Sequence, residues 1–413
     1  MSDQKLTILH CLRAPVGGAF RHVRDLARAQ AVLGHNVGIL CDAADYGPLN
    51  ECPLQELDDA LPLGVRRIKI SRDIGFEDAL AVRRAVKALR GTPLDVLHGH
   101  TAKGGLIARM TAQYLRLAGQ QVTAIYTPHG GSLHYRKRSP KGIAIFAVER
   151  LLERASSGLV FVSNYEAETY CQKVGAPHVP WRVVHNGVLP AEFEPVDLNA
   201  DASDFLFIGE LRDLKGPDLF LQAIATLRSA GIDATGLMVG SGPDADQVMS
   251  LRQELGLQGV VSMEAAQPIR QALAKARTVV MPSRAESLPY VVIESVAAGH
   301  PLLATRVGGI GEIFGDDSAA LITPNNVEAL AEAMLESLDA PAQLTVRTER
   351  LRSVARRRFS VGLMTARITD FYSDCGRCKG YAPSQPLQAT TVGFDQHSLN
   401  RSSEPAFTSP PQR

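Results

Sequence analysis

Apolar runs and helical stretches alternate along most of the chain. In the first half the runs are LTILHCL (6 to 12), NVGILCD (36 to 42), VRRIKI (65 to 70), DVLHGH (95 to 100), VTAIYTPHG (122 to 130), GLVFVS (158 to 163) and WRVVHNG (181 to 187). Between them the patterning predicts helices near 19 to 33, 77 to 90, 103 to 116, 140 to 154 and 164 to 173. A second series starts at FLFIG (205 to 209) and continues through TGLMVG, VVSME, TVVMP and PLLAT, each run followed by a helical segment. Strands alternating with helices in this way imply doubly wound α/β layers with parallel sheets. Residues 189 to 203, LPAEFEPVDLNADAS, have prolines and acids but no period, and are expected to form a linker. The expected architecture is two Rossmann-like doubly wound α/β domains, 1 to 188 and 204 to 352. From Ser373 onward Ser, Pro, Gln and Thr dominate, and 373 to 413 are expected to be a disordered tail.

Composition adds limits. The 413 residues, 45% hydrophobic and 21% charged, suffice for two cores. No run reaches the ~18 apolar residues of a membrane-spanning helix. The start MSDQKLTILHCL lacks the features of a signal peptide, so a cytoplasmic protein is expected. Six scattered cysteines (Cys11, Cys41, Cys52, Cys171, Cys375 and Cys378) argue for reduced thiols; the CxxC of Cys375 and Cys378 lacks a second pair that would complete a zinc site. The net charge of +1 hides an asymmetry, because residues 1 to 188 contain 24 Lys and Arg against 16 Asp and Glu. Arg21, Arg24 and Arg28 share one helix face, and Arg136, Lys137, Arg138 and Lys141 form a second basic group. Either is a solvated face or a surface for anionic lipid or a phosphorylated acceptor, and the excess charge tips the reading toward the second.

Candidate chemistry concentrates in residues 277 to 312, RTVVMPSRAESLPYVVIESVAAGHPLLATRVGGIGE. The apolar run ending at Pro282, the loop to Leu288 and the helix-forming stretch from Pro289 read as strand, loop and helix. The free amides at such a helix start suit a diphosphate. Glu294 lies roughly 7–8 Å further along the axis, about where a ribose would sit, and Glu286 lies on the other side of the helix start. Lys215 and Arg212, in the loop after FLFIG, are candidate clamps for the diphosphate. Gly17 and Gly18 let backbone approach a ligand. They do not make a G-x-G-x-x-G fingerprint, which disfavours an NAD oxidoreductase. Asp244 and Asp246 precede a helix and are read as favouring its N-terminal dipole, so no metal and no cofactor are expected.

Glu286 and Glu294, with seven residues between them and flanked by PSR and AAGHPLLAT, resemble the E-x7-E signature of retaining glycosyltransferases of the GT-B type, family four. The resemblance implies two domains facing across a cleft, with residues 353 to 372 forming a helix that returns to the first. It gives Glu294 the ribose hydroxyls, Glu286 the donor sugar, and Ser287, Leu288 and Pro289 the distal phosphate. It puts Gly17 and Gly18 beside the donor phosphate, and points His129 of TPHGG at the donor sugar. The stretch from Glu264 to Arg270 falls where the family contacts the nucleobase, and Asn186 with Gly187 forms a turn at the cleft. Lys215 matches the family's clamp, whereas Glu210 occupies its usual Arg position and Arg212 sits two residues later. His129, Glu286 and Lys215 are the catalytic candidates; His98, His100 and His134 are read as structural. The implied reaction moves a sugar from a nucleoside diphosphate sugar to a hydroxyl of a growing glycan, with no nucleic-acid partner; the basic first half and the lack of an export signal point to a lipid-linked, polyprenyl-type acceptor at the inner face of the cell membrane. Alternatives are a nucleotide-sugar epimerase of the same architecture and a non-catalytic nucleotide-sugar-binding regulator.

Overall fold

The computed structural model describes residues 5–73 and 75–377. Seven strands form the first sheet: β1 (Thr7–Cys11), β2 (Asn36–Asp42), β3 (Val65–Ile68), β4 (Val96–His100), β5 (Thr123–Thr127), β6 (Gly158–Phe161) and β7 (Trp181–Val183), in the order β3-β2-β1-β4-β5-β6-β7. The second has five: β8 (Ser203–Ile208), β9 (Gly236–Val239), β10 (Val261–Glu264), β11 (Ala276–Met281) and β12 (Leu302–Ala304), in the order β10-β9-β8-β11-β12. Neighbouring strands pair in parallel throughout, so both faces need cover, and that is why the runs are apolar without alternation. Strand order reverses between β1 and β4 and between β8 and β11. Crevices beyond the carboxyl ends of strands at such reversals are where open α/β sheets place ligands.

The helices of the first half are α1 (Gly17–Val32), α2 (Pro48–Ala60), α3 (Phe76–Ala88), α4 (Thr101–Leu117), α5 (Pro140–Glu153) and α6 (Asn164–Lys173). The second half has α7 (Pro217–Ser229), α8 (Ala245–Glu254), α9 (Ile269–Leu273), α10 (Tyr290–Ala297), α11 (Ile310–Phe314), α12 (Val327–Asp339), α13 (Pro341–Arg358) and α14 (Val361–Arg377). The sequence reading left out α2. Only Leu54 and Leu57 of that helix are buried, and Pro53 interrupts its interior, so its apolar period is weak.

Three boundaries differ from expectation. Within 189 to 203, Pro190–Phe193 form a 3-10 turn and Phe193 is buried in the second core, so this connection is partly docked. Helix α13 runs unbroken past residue 352, and its Leu351 and Ala355 pack with the second domain; the return begins only at Ser360, which bridges Val188. Helix α14 then lays Val361, Met364, Ile368, Phe371, Tyr372 and Cys375 against Ile8, Val96, Ile125 and Val160 of the first sheet. It continues to Arg377, through residues assigned above to the tail, because Phe371, Tyr372 and Cys375 keep a buried stripe going. Cys378 and the rest of the expected tail lie outside the described residues.

One buried pair fixes a loop that matters below. Arg109 of α4 donates to Glu149 of α5 at 3.0 Å, and Glu149 also accepts from the Tyr126 hydroxyl and from Ser132 Oγ, each at 3.0 Å. With the Arg109 side chain fully buried, its charge is tolerable only because it is paired and hydrogen-bonded. The network pins Ser132, three residues after His129, to the body of the first domain.

Candidate active site between the two sheets

On the second domain the loop from Pro282 to Pro289 leaves the carboxyl end of β11. Glu286 turns back into it, where Oε1 accepts from Ser283 Oγ at 2.8 Å and from Lys215 Nζ at 2.6 Å. Lys215 and Glu286, placed together by resemblance, are thus neighbours in space. The loop is braced from two sides: Arg284 grips Asp218 with both terminal nitrogens, and Gly309 N donates to Ser287 O at 2.7 Å. Gly308, at φ +57°, lies so close that a Cβ there would collide with the Glu286 carbonyl. Helix α10 starts at Tyr290, with Pro289 as the extended residue before it, and Glu294 follows just over one turn later. Glu286 and Glu294 are both buried.

Arg212 does not join them. It pairs with Glu210 at 3.4 Å, both side chains about half exposed, so the departure at Glu210 draws the neighbouring cation to itself. Glu264, at the end of edge strand β10, is held by Lys275 and Gln267, each at 2.6 Å. The Lys275 ammonium keeps its carboxyl below the usual range. Asp244 accepts from Asp213 N at 2.6 Å, bracing the clamp loop from the start of α8.

The first domain meets this surface with the start of α1. Gly17 sits at φ +63°, and the Cβ position of Gly18 is 3.4 Å from the Tyr290 ring. The basic stripe on α1 needs correction. Arg21 reaches into the cleft, lies over the Tyr290 ring at 4.8 Å, and pairs with Glu192, Asp25 and Glu294. Arg24 pairs with Asp25 at 2.8 Å and Arg28 with Glu56 at 2.6 Å. Helical spacing put the three on one face, but the acids that neutralise them come largely from other elements.

His129 ends the loop after β5 at φ +54°, a strained value for a residue with a Cβ, and Gly130 follows at φ +76°. The Gly130 amide donates to Glu166, which also accepts from Val162 N at 2.8 Å and from Ser287 Oγ of the other domain at 3.2 Å. Burial pushes the Glu166 carboxyl up to about 7 despite these donors. Glu166, His134, Thr169, Glu286 and Ser287 line one pocket between the domains. Neither Glu166 nor a site role for His134 was read from sequence; one acid among several in NYEAET carries no signal until Ser287 docks on it.

Behind His129 stands a stack of buried imidazoles. His100 bonds His129 and His10, each at 3.0 Å, while His22 bonds Asn186 at 3.0 Å and lies edge-on to His129 at 4.8 Å. His98 bonds Tyr372 and Thr127, in keeping with a structural role. Burial pushes His10 and His22 down to about 4 and holds His98, His100 and His129 well below the usual histidine range. These rings are neutral at pH 7. Two trios of ring nitrogens, from His10, His98 and His100 and from His22, His100 and His129, lie within 4.8 Å of one another, and each trio contains a pair already hydrogen-bonded. His100 thus touches His129 directly while itself fully buried, in keeping with a structural role behind it.

The domains are joined by polar contacts around the same cleft. Asn186 Nδ2 donates to Leu288 O at 2.9 Å. Glu312 accepts from the Asn164 and Tyr165 amides and from His185 Nε2 at 2.8–3.0 Å. Burial alone would raise the Glu312 carboxyl, but these donors outweigh it and hold it low.

Two family profiles divide the chain in the same places as the sheets: "Glycosyltransferase Family 4" matches residues 16–192 and "Glycosyl transferases group 1" matches 190–357. The D-inositol 3-phosphate glycosyltransferase of Arthrobacter sp. is 32% identical over 358 residues, which cover 79% of this chain and 83% of that relative. The chain belongs to glycosyltransferase family 4. This family-4 member is also 28% identical to D-inositol 3-phosphate glycosyltransferase 1 of Catenulispora acidiphila, but the match spans 61% of the chain and less than two thirds, 65%, of that relative. Its fold is that of Anabaena HepE in complex with UDP-glucose, with a TM-score of 0.74 at 18% identity over 89% of this chain and 100% of the other. The two facing sheets are thus the GT-B arrangement.

Proposed function

We propose that this protein transfers a sugar, with retention of anomeric configuration, from a nucleoside diphosphate sugar to a hydroxyl of a growing glycan. The observation that carries the reading is the convergence of Lys215, Glu286 and the start of α10 on one point of the cleft, with Glu294 just beyond. As the glycosidic bond breaks, charge builds on the departing diphosphate. An ammonium at Lys215 and the free amides beside Pro289 are fixed partners for that charge, strongest where water is excluded. The HepE complex with UDP-glucose supports a donor of this class. The neutral ring of His129 and the carboxylate of Glu286 face the sugar. The acceptor hydroxyl attacks from the face the leaving group departs, and the leaving phosphate assists its deprotonation. Lys215 remains in place although Glu210 replaces the family arginine, which favours turnover over mere binding. The test is to incubate the protein with nucleoside diphosphate sugars, with and without glycan acceptors, and determine the anomeric configuration of the product. Inversion, or epimerisation without acceptor, would overturn the reading.

Glu294 exchanges its pairing with Arg21 for the ribose hydroxyls in this scheme. Glu294→Ala is expected to weaken nucleoside diphosphate affinity about 10- to 100-fold, the equivalent of a charge-assisted hydrogen bond of about 1.5–3 kcal/mol. Unchanged affinity by calorimetry would remove Glu294 from the ribose.

The acceptor is proposed to be lipid-linked and reached at a membrane surface. Support comes from α5, not α1. Its outer face exposes Ile143, Val148 and Leu151, just after the basic run Arg136, Lys137, Arg138 and Lys141. Apolar side chains beside cations are the composition of an interfacial helix. No described helix is long and apolar enough to cross a membrane. The protein should sediment with anionic vesicles less as salt rises, and Ile143→Glu with Leu151→Glu should reduce sedimentation several-fold. Equal binding by parent and variant would exclude α5 as the contact.

A further inference from the structure

Four side chains form a line from the back of α1 to the cleft: Gln30, His10, His100 and His129. The bonds between them have a direction. Gln30 Nε2 donates to Thr369 Oγ1 of α14 at 3.3 Å. Gln30 Oε1 lies toward His10 Nε2, 2.8 Å away. A neutral imidazole has one N–H and one lone pair, so each bond dictates the next. His10 must be protonated on Nε2 to donate to Gln30, which leaves Nδ1 as an acceptor 3.0 Å from His100 Nε2. His100 is then protonated on Nε2, and its Nδ1 accepts from His129 Nε2 at 3.0 Å. His129, alone of the three rings, is not fully buried. It is left with a bare Nδ1.

A second branch agrees in polarity. Asn186 Nδ2 donates to Leu288 O, so its Oδ1 takes the proton on His22 Nδ1. His22 Nε2 is left bare, buried and without a partner, on a ring beside that of His129.

We propose that Gln30, His10 and His100 are positioning residues that hold His129 as its Nε2–H tautomer, so that Nδ1 offers the cleft a lone pair and not a proton. The inference rests on the reading above in taking a sugar hydroxyl as the group that donates to Nδ1. A tautomer with Nδ1–H would face that hydroxyl with the wrong sign and oblige it to turn, as would any break in the line behind it. Because only the competent fraction of a protein reacts, turnover should scale with the fraction of His129 in this tautomer.

The experiment is long-range 1H–15N spectroscopy of protein labelled with 15N-histidine at pH 7, without any substrate. Loss of signals in His129→Gln identifies that ring. The parent should show His129 protonated on Nε2 and bare on Nδ1; the opposite tautomer overturns the proposal. Gln30→Met, close in volume but without the acceptor, should populate both tautomers and lower kcat at least two-fold, in proportion to the fraction lost, at unchanged melting temperature. Gln30→Glu, which keeps an acceptor, should retain the parent spectrum and kcat. A changed tautomer with unchanged kcat, or the reverse, overturns the positioning role. Should Gln30→Met fail to fold, the parent spectrum and Gln30→Glu still decide. Should no nucleotide sugar be turned over, the functional reading fails while the spectrum alone judges the order of protons.

Discussion

Acidification from pH 7.5 to 5 is expected to lower the melting temperature steeply, well before most carboxylates protonate. The cause is the imidazole stack. His10 and His22 are pushed by burial to about 4, and His98, His100 and His129 move in the same direction. In the unfolded chain these rings take up protons near the ordinary histidine value of about 6.5. The unfolded state therefore binds more protons, so the stability these rings supply is complete above about 6.5 and is lost as pH falls toward about 4. At pH 5 the loss is on the order of 2 kcal/mol for each of His10 and His22, and the other three add to it, against a total stability of about 5–15 kcal/mol. Glu166 works the other way. Its folded value is raised to about 7, so its contribution is full below its unfolded value and lost as pH rises through 7. One carboxyl opposes five rings, and the rings prevail. Circular dichroism melts across this range are the measurement, and a midpoint that stays level or rises on acidification would contradict the buried neutral stack.

Replacing Lys215 with Ala is expected to reduce kcat about 100- to 1,000-fold while changing donor affinity only a few-fold. The ammonium is 2.6 Å from Glu286, at the mouth of the loop that precedes α10, and in the proposed reaction the leaving diphosphate gains charge there only as the bond breaks. An interaction made chiefly in the transition state shows in kcat; one made equally in the ground state shows in KM. Single-turnover kinetics beside equilibrium binding separate the two. Equal losses in both would make Lys215 a uniform binder of phosphate.

These outcomes bear on how far the chain can be read. The strands were legible because a sheet covered on both faces demands continuous apolar runs, and VTAIYT or TVVM can be little else. Helix α2 was not, since two buried leucines make no stripe. At the site, Glu286, Glu294 and Lys215 were picked out by their resemblance to a family pattern, and the fold sets Lys215 against Glu286. Arg21, Glu166 and His22 were not. Arg21 acquires its meaning from Glu192 and Glu294, and Glu166 from Ser287, which docking of the second domain brings to them. The two basic groups looked alike in sequence. Asp25 on the same helix and acids from elsewhere neutralised the arginines of α1, and only the folded chain shows that α5 keeps its apolar face outward.

The return of α14 to the first sheet also bears on synthesis. The core beneath β1, β4, β5 and β6 is completed by Met364, Ile368, Phe371 and Tyr372, and Gln30 finds its partner Thr369 on the same helix. During translation the last strand of that sheet, ending at Val183, leaves the ribosome long before Val361 is made. At ~5–20 residues per second the interval is on the order of ten seconds or more. Throughout it the nascent first domain carries an open apolar trough and an unanchored histidine line. The whole second domain emerges and can fold meanwhile, so the half that is made first is the half that is finished last.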